Sequence, residues 1–194
     1  ADLRSLAQGT TTDKVFELTK KLSSRVDTPL VYMTYLNVLF KYGYDKFLQN
    51  AKDAGISGVI VPDLPYEEKD ELQSVAEKYD IDVISLIAPT SEDRIKMIAN
   101  DAKGFIYTVS SMGVTGMRNE IKTDLQSIVS HIKSVTDVPV AIGFGINKPQ
   151  QAKEFSAYAD GVIVGSAIVN IVAEHGKDAP EYVFDYVKSM KDAI

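Results

Sequence analysis

Six short apolar runs, rich in β-branched residues, constrain the fold of this chain more than any other feature of its sequence. They cover residues 29–35, 56–63, 82–90, 104–111, 138–145 and 160–166. Their apolarity is nearly continuous rather than strictly alternating, which is typical of parallel strands that are buried on both faces. The runs therefore predict six parallel β-strands.

Segments with helical periodicity lie between these runs. Apolar residues share one helical face in three of the segments: Val15, Leu18 and Leu22; Leu72, Val75, Ala76 and Tyr79; and Leu125, Ile128, Val129 and Ile132. Asp13, Ser91 and Pro149 are typical of helix starts. A closing helix is predicted near residues 181–191. The chain thus reads as a helix, six βα units and a last helix.

Strict alternation of strands and helices leaves two main architectures, a (β/α)8 barrel and an open doubly wound sheet. The open dinucleotide-binding fold carries a glycine-rich turn after its first strand, and neither G-x-G-x-x-G nor G-x-x-x-x-G-K-[ST] occurs in the sequence. The glycines follow the last two predicted strands instead, where barrels often hold a phosphate. We therefore predict an α/β fold of the TIM (β/α)8 barrel type. Because no linker composition divides the chain, residues 1–194 are predicted to form a single domain.

Composition excludes several classes of function. With 21 Lys and Arg against 27 Asp and Glu, the formal charge is -6, which disfavours nucleic acid and acidic membranes as partners. Cys 0 and His 2 exclude disulfides, thiolate metal sites and histidine-rich metal cages. The N-terminus carries no signal-peptide pattern, and no apolar run is long enough to span a bilayer. Any anion must therefore be bound by a local feature of the fold.

Two glycine-containing segments are candidates for that feature. Gly143, Phe144 and Gly145 end the fifth predicted strand, while Gly165 and Ser166 end the sixth. Glycine at a strand-to-helix junction lets backbone N–H groups and the positive end of a helix dipole approach a phosphate. Either segment by itself is equally consistent with a tight turn. Their occurrence on consecutive strands favours phosphate binding.

Other candidate residues leave alternatives open. The loop with Thr115 and Gly116 either closes over a substrate or is an ordinary solvent loop. Asp63, between two prolines, either orients a substrate or caps the helix that follows it. Tyr35 and Tyr107 line a pocket or simply pack. His131 and His175 lie on predicted helices, where surface or packing roles are expected. These residues favour binding of a phosphorylated ligand over its transformation.

Taken together, the motifs resemble those of the tryptophan synthase alpha subunit. The segments Val61-Pro62-Asp63-Leu64-Pro65, Gly113-Val114-Thr115-Gly116, Gly143-Phe144-Gly145-Ile146 and Gly165-Ser166-Ala167-Ile168-Val169 occur in that family's order, and the resemblance extends over essentially the whole chain. It implies a (β/α)8 barrel that cleaves indole-3-glycerol phosphate to indole and glyceraldehyde 3-phosphate by a retro-aldol reaction in L-tryptophan biosynthesis.

The resemblance also implies a cytoplasmic location and an alpha-beta heterotetramer. The implied partner is the beta subunit, which holds pyridoxal phosphate, whereas the alpha subunit itself needs no metal or cofactor. The implied ligand is a small phosphorylated indole, with no nucleic acid and no membrane involved.

The resemblance further assigns roles to individual residues. Gly116, Gly145, Gly165 and Ser166 would hold the phosphate. The apolar pocket around the indole would be formed by Tyr107, Phe144, Met33, Ile60 and Leu86. Thr115 would be the threonine of the closing loop, and Asp63 with Pro65 would lie toward the beta subunit.

One departure from the family pattern limits these expectations. The family's catalytic glutamate ends its second barrel strand and its catalytic aspartate follows in the next loop; both precede the part that resembles Ala1 and the residues after it. Only six of the eight strands are predicted here, and (β/α)8 barrels typically have about 250 residues. We therefore expect a barrel that is incomplete at its N-terminus, with no catalytic residue within residues 1–194. The alternatives are a non-catalytic phosphate-binding or partner-binding module and another phosphate-binding barrel enzyme.

Overall fold

The structure is a computed structural model, and it describes residues 2–109, 124–143 and 145–194. By their internal contacts the residues divide into two compact units, Ala1–Ile84 and Ser85–Ile194. Each unit is built around its own parallel sheet. The assignment of residues 1–194 to a single domain stays a prediction.

The first unit contains a parallel sheet in the order β1-β2-β3. Along the chain its elements are α1 (Asp2–Ala7), α2 (Thr12–Ser23), β1 (Leu30–Met33), α3 (Leu36–Tyr42), α4 (Tyr44–Asp53), β2 (Ile56–Ile60), a 3-10 turn (Tyr66–Glu68), α5 (Lys69–Ala76), a second 3-10 turn (Glu77–Tyr79) and β3 (Asp82–Val83). In register, Met33 pairs with Ile60 and Gly58 with Asp82. The predicted strands of this unit are confirmed, whereas α3 is a helix that the periodicity did not indicate.

An aromatic cluster orients α2 in the first unit. The ring of Phe16 lies 5.2 Å from that of Phe47 and 5.8 Å from that of Tyr32, measured between centroids. Phe16 and Thr19 are the residues by which α2 enters the core. The apolar face shared by Val15, Leu18 and Leu22 is exposed instead. A large aromatic side chain buries more surface than an aliphatic one, so Phe16 decides which face of the helix turns inward.

The second unit contains a parallel sheet in the order β4-β5-β6-β7. Its elements are β4 (Ser85–Ile87), α6 (Glu92–Asn100), β5 (Ile106–Val109), α7 (Leu125–Lys133), β6 (Val140–Gly143), α8 (Pro149–Ser156), β7 (Gly161–Val162), α9 (Ser166–His175), a 3-10 turn (Gly176–Asp178) and α10 (Ala179–Lys191). The strand predicted over residues 82–90 is interrupted, since β3 pairs with β2 and β4 pairs with β5. Ile84 lies between the two segments and donates its N–H to the Val59 carbonyl, 2.9 Å away.

The helix starts follow the predicted signals with one correction. Ser91 precedes α6, and its hydroxyl accepts a hydrogen bond from the Arg94 N–H. Pro149 is the first residue of α8, where its missing N–H costs nothing. The cap of α2 is Thr11 rather than Asp13, because the Thr11 hydroxyl accepts from the Lys14 N–H while Asp13 lies inside the first turn.

Thr108 in β5 is completely buried, and its hydroxyl has no hydrogen-bond partner among the described residues. Thr19, also buried, donates its hydroxyl to the Val15 carbonyl at 2.9 Å. A buried hydroxyl without a partner costs roughly 1–3 kcal/mol, whereas a satisfied one is close to neutral or favourable. The two threonines therefore contribute to stability with opposite signs.

Replacing Thr108 by valine should raise the free energy of unfolding by about 1 kcal/mol, because Val keeps the shape and removes the unpaired hydroxyl. Urea denaturation followed by circular dichroism measures the change. Thr19→Val is the matched control and should lower the same quantity by about 0.5–1.5 kcal/mol, since it removes a hydrogen bond. Equal losses in both variants would contradict the assignment for Thr108.

Candidate functional site

The loops after β6 and β7 leave the same edge of the second unit's sheet. In register, Ala141 pairs with Gly161 and Ile142 with Val162, and the Ile163 N–H donates to the Ile142 carbonyl at 2.7 Å. Because the strands are parallel and directly paired, their carboxyl ends are neighbours. The predicted phosphate-binding residues Gly145 and Gly165 each follow one of these ends by a few residues.

The start of α9 is open to an anion. Gly165 is the residue before the helix and Ser166 is its first residue. No side chain of the described residues caps this end, and the first turn carries no acidic residue. A Cβ built on Gly165 would meet no described atom within 4 Å. The positive end of the helix dipole and its first N–H groups are thus exposed at the loop, which is the arrangement that binds phosphate.

The loop after β6 is held in a conformation that requires glycine. Gly145 has φ 90, in the left-handed region that other residues rarely adopt. The Asn147 side-chain amide donates to the Gly145 carbonyl at 2.8 Å. The side-chain oxygen of Gln151 accepts from the N–H groups of Asn147 and Lys148, at 2.9 and 3.1 Å. The loop is therefore shaped by the side chain of its own Asn147 and by that of Gln151 in α8.

Sequence reasoning missed the role of Gln151 in this loop. Gln151 is the third residue of α8, and its side chain reaches back to the N–H of Lys148, the residue that precedes the helix. Glutamine at that position of a helix is a known N-terminal signal. The signal was present in the spacing from Pro149 to Gln151.

Tyr107 lies on β5, the strand next to β6 in the same sheet. It pairs in register with Leu86 on β4 and with Ala141 on β6. The side chain is 5% exposed, and burial raises the pKa of the phenol to about 12. Its ring occupies the space above Gly143, because a Cβ built there would lie 2.5 Å from Tyr107 Cζ. The absent side chain at Gly143 is what gives Tyr107 its position.

In the first unit, the predicted pocket residues Met33 and Ile60 are direct register partners at the ends of β1 and β2. Met33 is 52% exposed and Ile60 is 5% exposed. The structure thus brings the described pocket residues together in two pairs, this one and Leu86 with Tyr107. Phe144, Thr115 and Gly116 lie outside the described residues, so their predicted roles stay predictions.

Asp63 caps a helix, but not the one considered from the sequence. Its carboxylate accepts a hydrogen bond from the Leu36 N–H at 2.9 Å, at the first residue of α3. The helix that it serves precedes it in the chain, which corrects the expectation of a cap on the following helix. Pro65 has φ -63 and precedes the turn Tyr66–Glu68. Asp63 therefore ties the loop after β2 to the loop after β1.

The two histidines lie on helices, as the sequence indicates. His131 in α7 is 3.7 Å from the Glu92 carboxylate, and His175 at the end of α9 stacks on the Tyr182 ring at 3.6 Å. In the part of the chain that the structure describes, no cluster of three or more His, Asp or Glu side chains is suited to hold a metal ion. No helix there has the length and apolarity to cross a membrane.

The sequence profile of the family "Tryptophan synthase alpha chain" matches residues 1–193. The tryptophan synthase alpha chain of Lacticaseibacillus casei is 48% identical over 194 residues, which are 100% of this chain and 73% of that protein. The corresponding protein of Lactiplantibacillus plantarum is 46% identical over 195 residues, covering 100% of this chain and 74% of its own length.

Solved structures agree with the sequence comparisons. Tryptophan synthase subunit alpha from Campylobacter jejuni has a TM-score of 0.80 at 38% identity and is matched over 97% of this chain and 72% of its own. A chain of the tryptophan synthase α2β2 complex from Pyrococcus furiosus has a TM-score of 0.88 at 33% identity, with 98% and 77% covered. These likenesses confirm the predicted fold class, an α/β fold of the (β/α)8 barrel type with six of its strands present in the chain.

Placing a methyl group on Gly143 should force Tyr107 out of its position. Gly143→Ala is expected to lower the free energy of unfolding by about 1–3 kcal/mol, because overpacking displaces a buried ring. Denaturant unfolding and the near-ultraviolet circular dichroism of tyrosine measure the two effects. Gly161→Ala on the neighbouring strand is the control, since its Cβ would meet only the Ala141 Cβ at an ordinary 3.8 Å. An equally small effect in both variants would refute the contact.

The pKa of Tyr107, about 12 instead of 10.0, links stability to alkaline pH. The unfolded state ionises first, so this contribution to stability is complete below pH 10 and is lost as pH rises through the folded value. Tyr107→Phe should therefore flatten the fall in unfolding free energy between about pH 9 and pH 11.5. Tyr35→Phe, which removes an exposed phenol, is the control. An unchanged pH slope in Tyr107→Phe would count against the burial effect.

Proposed function

The chain belongs to the tryptophan synthase alpha chain family, and from this premise we propose that it cleaves indole-3-glycerol phosphate to indole and glyceraldehyde 3-phosphate in L-tryptophan biosynthesis. The observation that carries the proposal is the match of the family profile over residues 1–193. The family is one of lyase-type catalytic subunits.

The phosphate of the substrate is held by the loops after β6 and β7. Gly165 and Ser166 offer the uncapped start of α9, and Gly145 offers a backbone without a side chain in the way. Gly116 is assigned a further contact with the phosphate. The net charge of -6 makes such a local cluster of N–H groups necessary, because the field of the whole molecule repels an anion. The open helix terminus supports this assignment.

We assign contact with the indole ring to Tyr107, Leu86, Met33, Ile60 and Phe144. Burial and a neutral phenol suit Tyr107 to an aromatic ligand, since a charged group there would have to be desolvated. The exposed surface of Met33 supports a role in contacting a ligand. Thr115 belongs to the loop that closes over the bound substrate and excludes water.

The reaction breaks the bond between C3 of the indole ring and the first carbon of the glycerol phosphate. A proton is added at C3 and the hydroxyl on the departing carbon loses its proton, which leaves glyceraldehyde 3-phosphate. We assign binding and orientation of the substrate to residues 1–194, and no acid–base residue of the reaction to them. This subunit uses no metal or cofactor.

The partner is the beta subunit of tryptophan synthase. The Pyrococcus furiosus relative was solved in an α2β2 complex, which supports the same assembly here. Pyridoxal phosphate belongs to the beta subunit. Asp63 and Pro65 lie toward the interface, and the hydrogen bond from the Leu36 N–H to Asp63 gives this loop a fixed shape for docking. The enzyme works in the cytoplasm.

The function is tested by an indole-release assay on the protein as its gene encodes it. We expect indole to be formed from indole-3-glycerol phosphate and the rate to rise when beta subunit is added. A coupled assay for glyceraldehyde 3-phosphate confirms that both products appear together. No indole in the presence of beta subunit would overturn the proposal.

Gly165→Ala tests phosphate binding separately from the stability of the fold. The new methyl group meets no described atom within 4 Å, so the free energy of unfolding should change by less than about 1 kcal/mol. The dissociation constant for sn-glycerol 3-phosphate should rise by about tenfold, because the methyl group obstructs the approach of the phosphate to the backbone. Calorimetric titration measures it, with Gly161→Ala as the control. Unchanged affinity in Gly165→Ala would refute the assignment.

A further inference from the structure

A hydrogen bond joins helix α10 to the loop after β6. The Tyr186 hydroxyl donates to the Asn147 carbonyl at 3.0 Å, across 39 residues of sequence. The same helix packs against α8 and α9, the helices that follow the two glycine-containing loops. The C-terminal helix therefore contacts the elements that carry both predicted halves of the phosphate site.

Asn147 is the point at which the loop is held from several sides. Its backbone N–H donates to Gln151, its side-chain amide donates to the Gly145 carbonyl, and its own carbonyl accepts from Tyr186. With these groups engaged, the peptide planes on either side of Asn147 cannot rotate without breaking a hydrogen bond. Because the Asn147 side chain also donates to the Gly145 carbonyl, the placement of Asn147 bears on the orientation of the Gly145 backbone.

We infer that Tyr186 is a positioning residue, which acts through Asn147 to hold the Gly145 backbone in the orientation that receives the phosphate of the substrate. The inference rests on the proposed function, since it takes the loop after β6 as a phosphate site. Tyr186 itself does not touch the ligand. Tyr186 keeps the loop ordered before the ligand binds. The free energy of binding is then not reduced by the cost of ordering the loop.

The side chain of Tyr186 and the backbone of Gly145 both suit this role. A phenol keeps its proton at physiological pH and can donate a hydrogen bond, and burial raises the pKa of Tyr186 further. The loop conformation that it supports has Gly145 at φ 90, which a free chain visits only as one of several alternatives. A hydrogen bond of ordinary strength is enough to select one loop conformation over others of similar energy.

Tyr186→Phe removes the hydroxyl and keeps the ring, so it tests the hydrogen bond without opening a cavity. Tyr182→Phe is the matched control, because Tyr182 lies one turn earlier on α10 and stacks on His175. For each variant and the unsubstituted protein, calorimetry gives the dissociation constant for sn-glycerol 3-phosphate at 25 °C, and denaturant unfolding gives the stability. Hydrogen exchange of the Asn147 and Lys148 amides reports on the loop itself.

We expect Tyr186→Phe to raise the dissociation constant by about two- to tenfold and to speed exchange of the two amides, as the loss of one hydrogen bond allows. Tyr182→Phe should leave both unchanged. Reduced stability of Tyr186→Phe with an unchanged dissociation constant would overturn the inference, since the bond would then be merely structural. Failure of the unsubstituted protein to bind sn-glycerol 3-phosphate would overturn the phosphate assignment and the role of Tyr186 with it.

Discussion

Parallel pairing of β5, β6 and β7 is the constraint on which the candidate site depends. Each strand is short, and backbone hydrogen bonds between them bring the ends of β6 and β7 to one edge of the sheet. Gly145 and Gly165 are separated along the chain by a whole helix, yet they follow neighbouring strands. The same pairing sets Tyr107 beside Leu86 and Ala141. Backbone hydrogen bonds between strands thus determine which residues become neighbours at the candidate site.

Glycine serves three different physical purposes in this sheet and its loops. Gly143 leaves room for a neighbouring ring, since any side chain there would collide with Tyr107. Gly145 adopts a backbone conformation at φ 90 that other residues avoid. Gly165 differs from both: its φ of -123 and ψ of -71 lie outside the helical and extended regions, its φ is negative, and a Cβ there would meet no described atom within 4 Å. A clash with the described residues therefore does not explain glycine at 165, whereas close approach of a phosphate to its backbone would.

The sequence predicts the strands well because burial on both faces leaves a continuous apolar signal that needs no knowledge of the partner strand. It predicts the starts of α6 and α8 because a cap is a local interaction within a few residues. It does not reveal that Asp63 binds the Leu36 N–H, or that Phe16 rather than Leu18 enters the core. Both outcomes depend on residues brought together by folding. A periodic pattern identifies an apolar face without identifying what packs against it.

The same distinction separates the parts of the site. Residue types at strand ends predicted Gly145, Gly165 and Ser166, because phosphate binding by backbone has a local signature. The hydrogen bonds that shape the Gly145 loop come from Gln151 in α8 and Tyr186 in α10, and only the first is close enough in sequence to be read. Within the loop itself, the Asn147 side chain contributes a further bond, to the Gly145 carbonyl. The other bonds come from Gln151 and Tyr186 on neighbouring helices, so residues outside the glycine-containing motif also determine the shape of the loop.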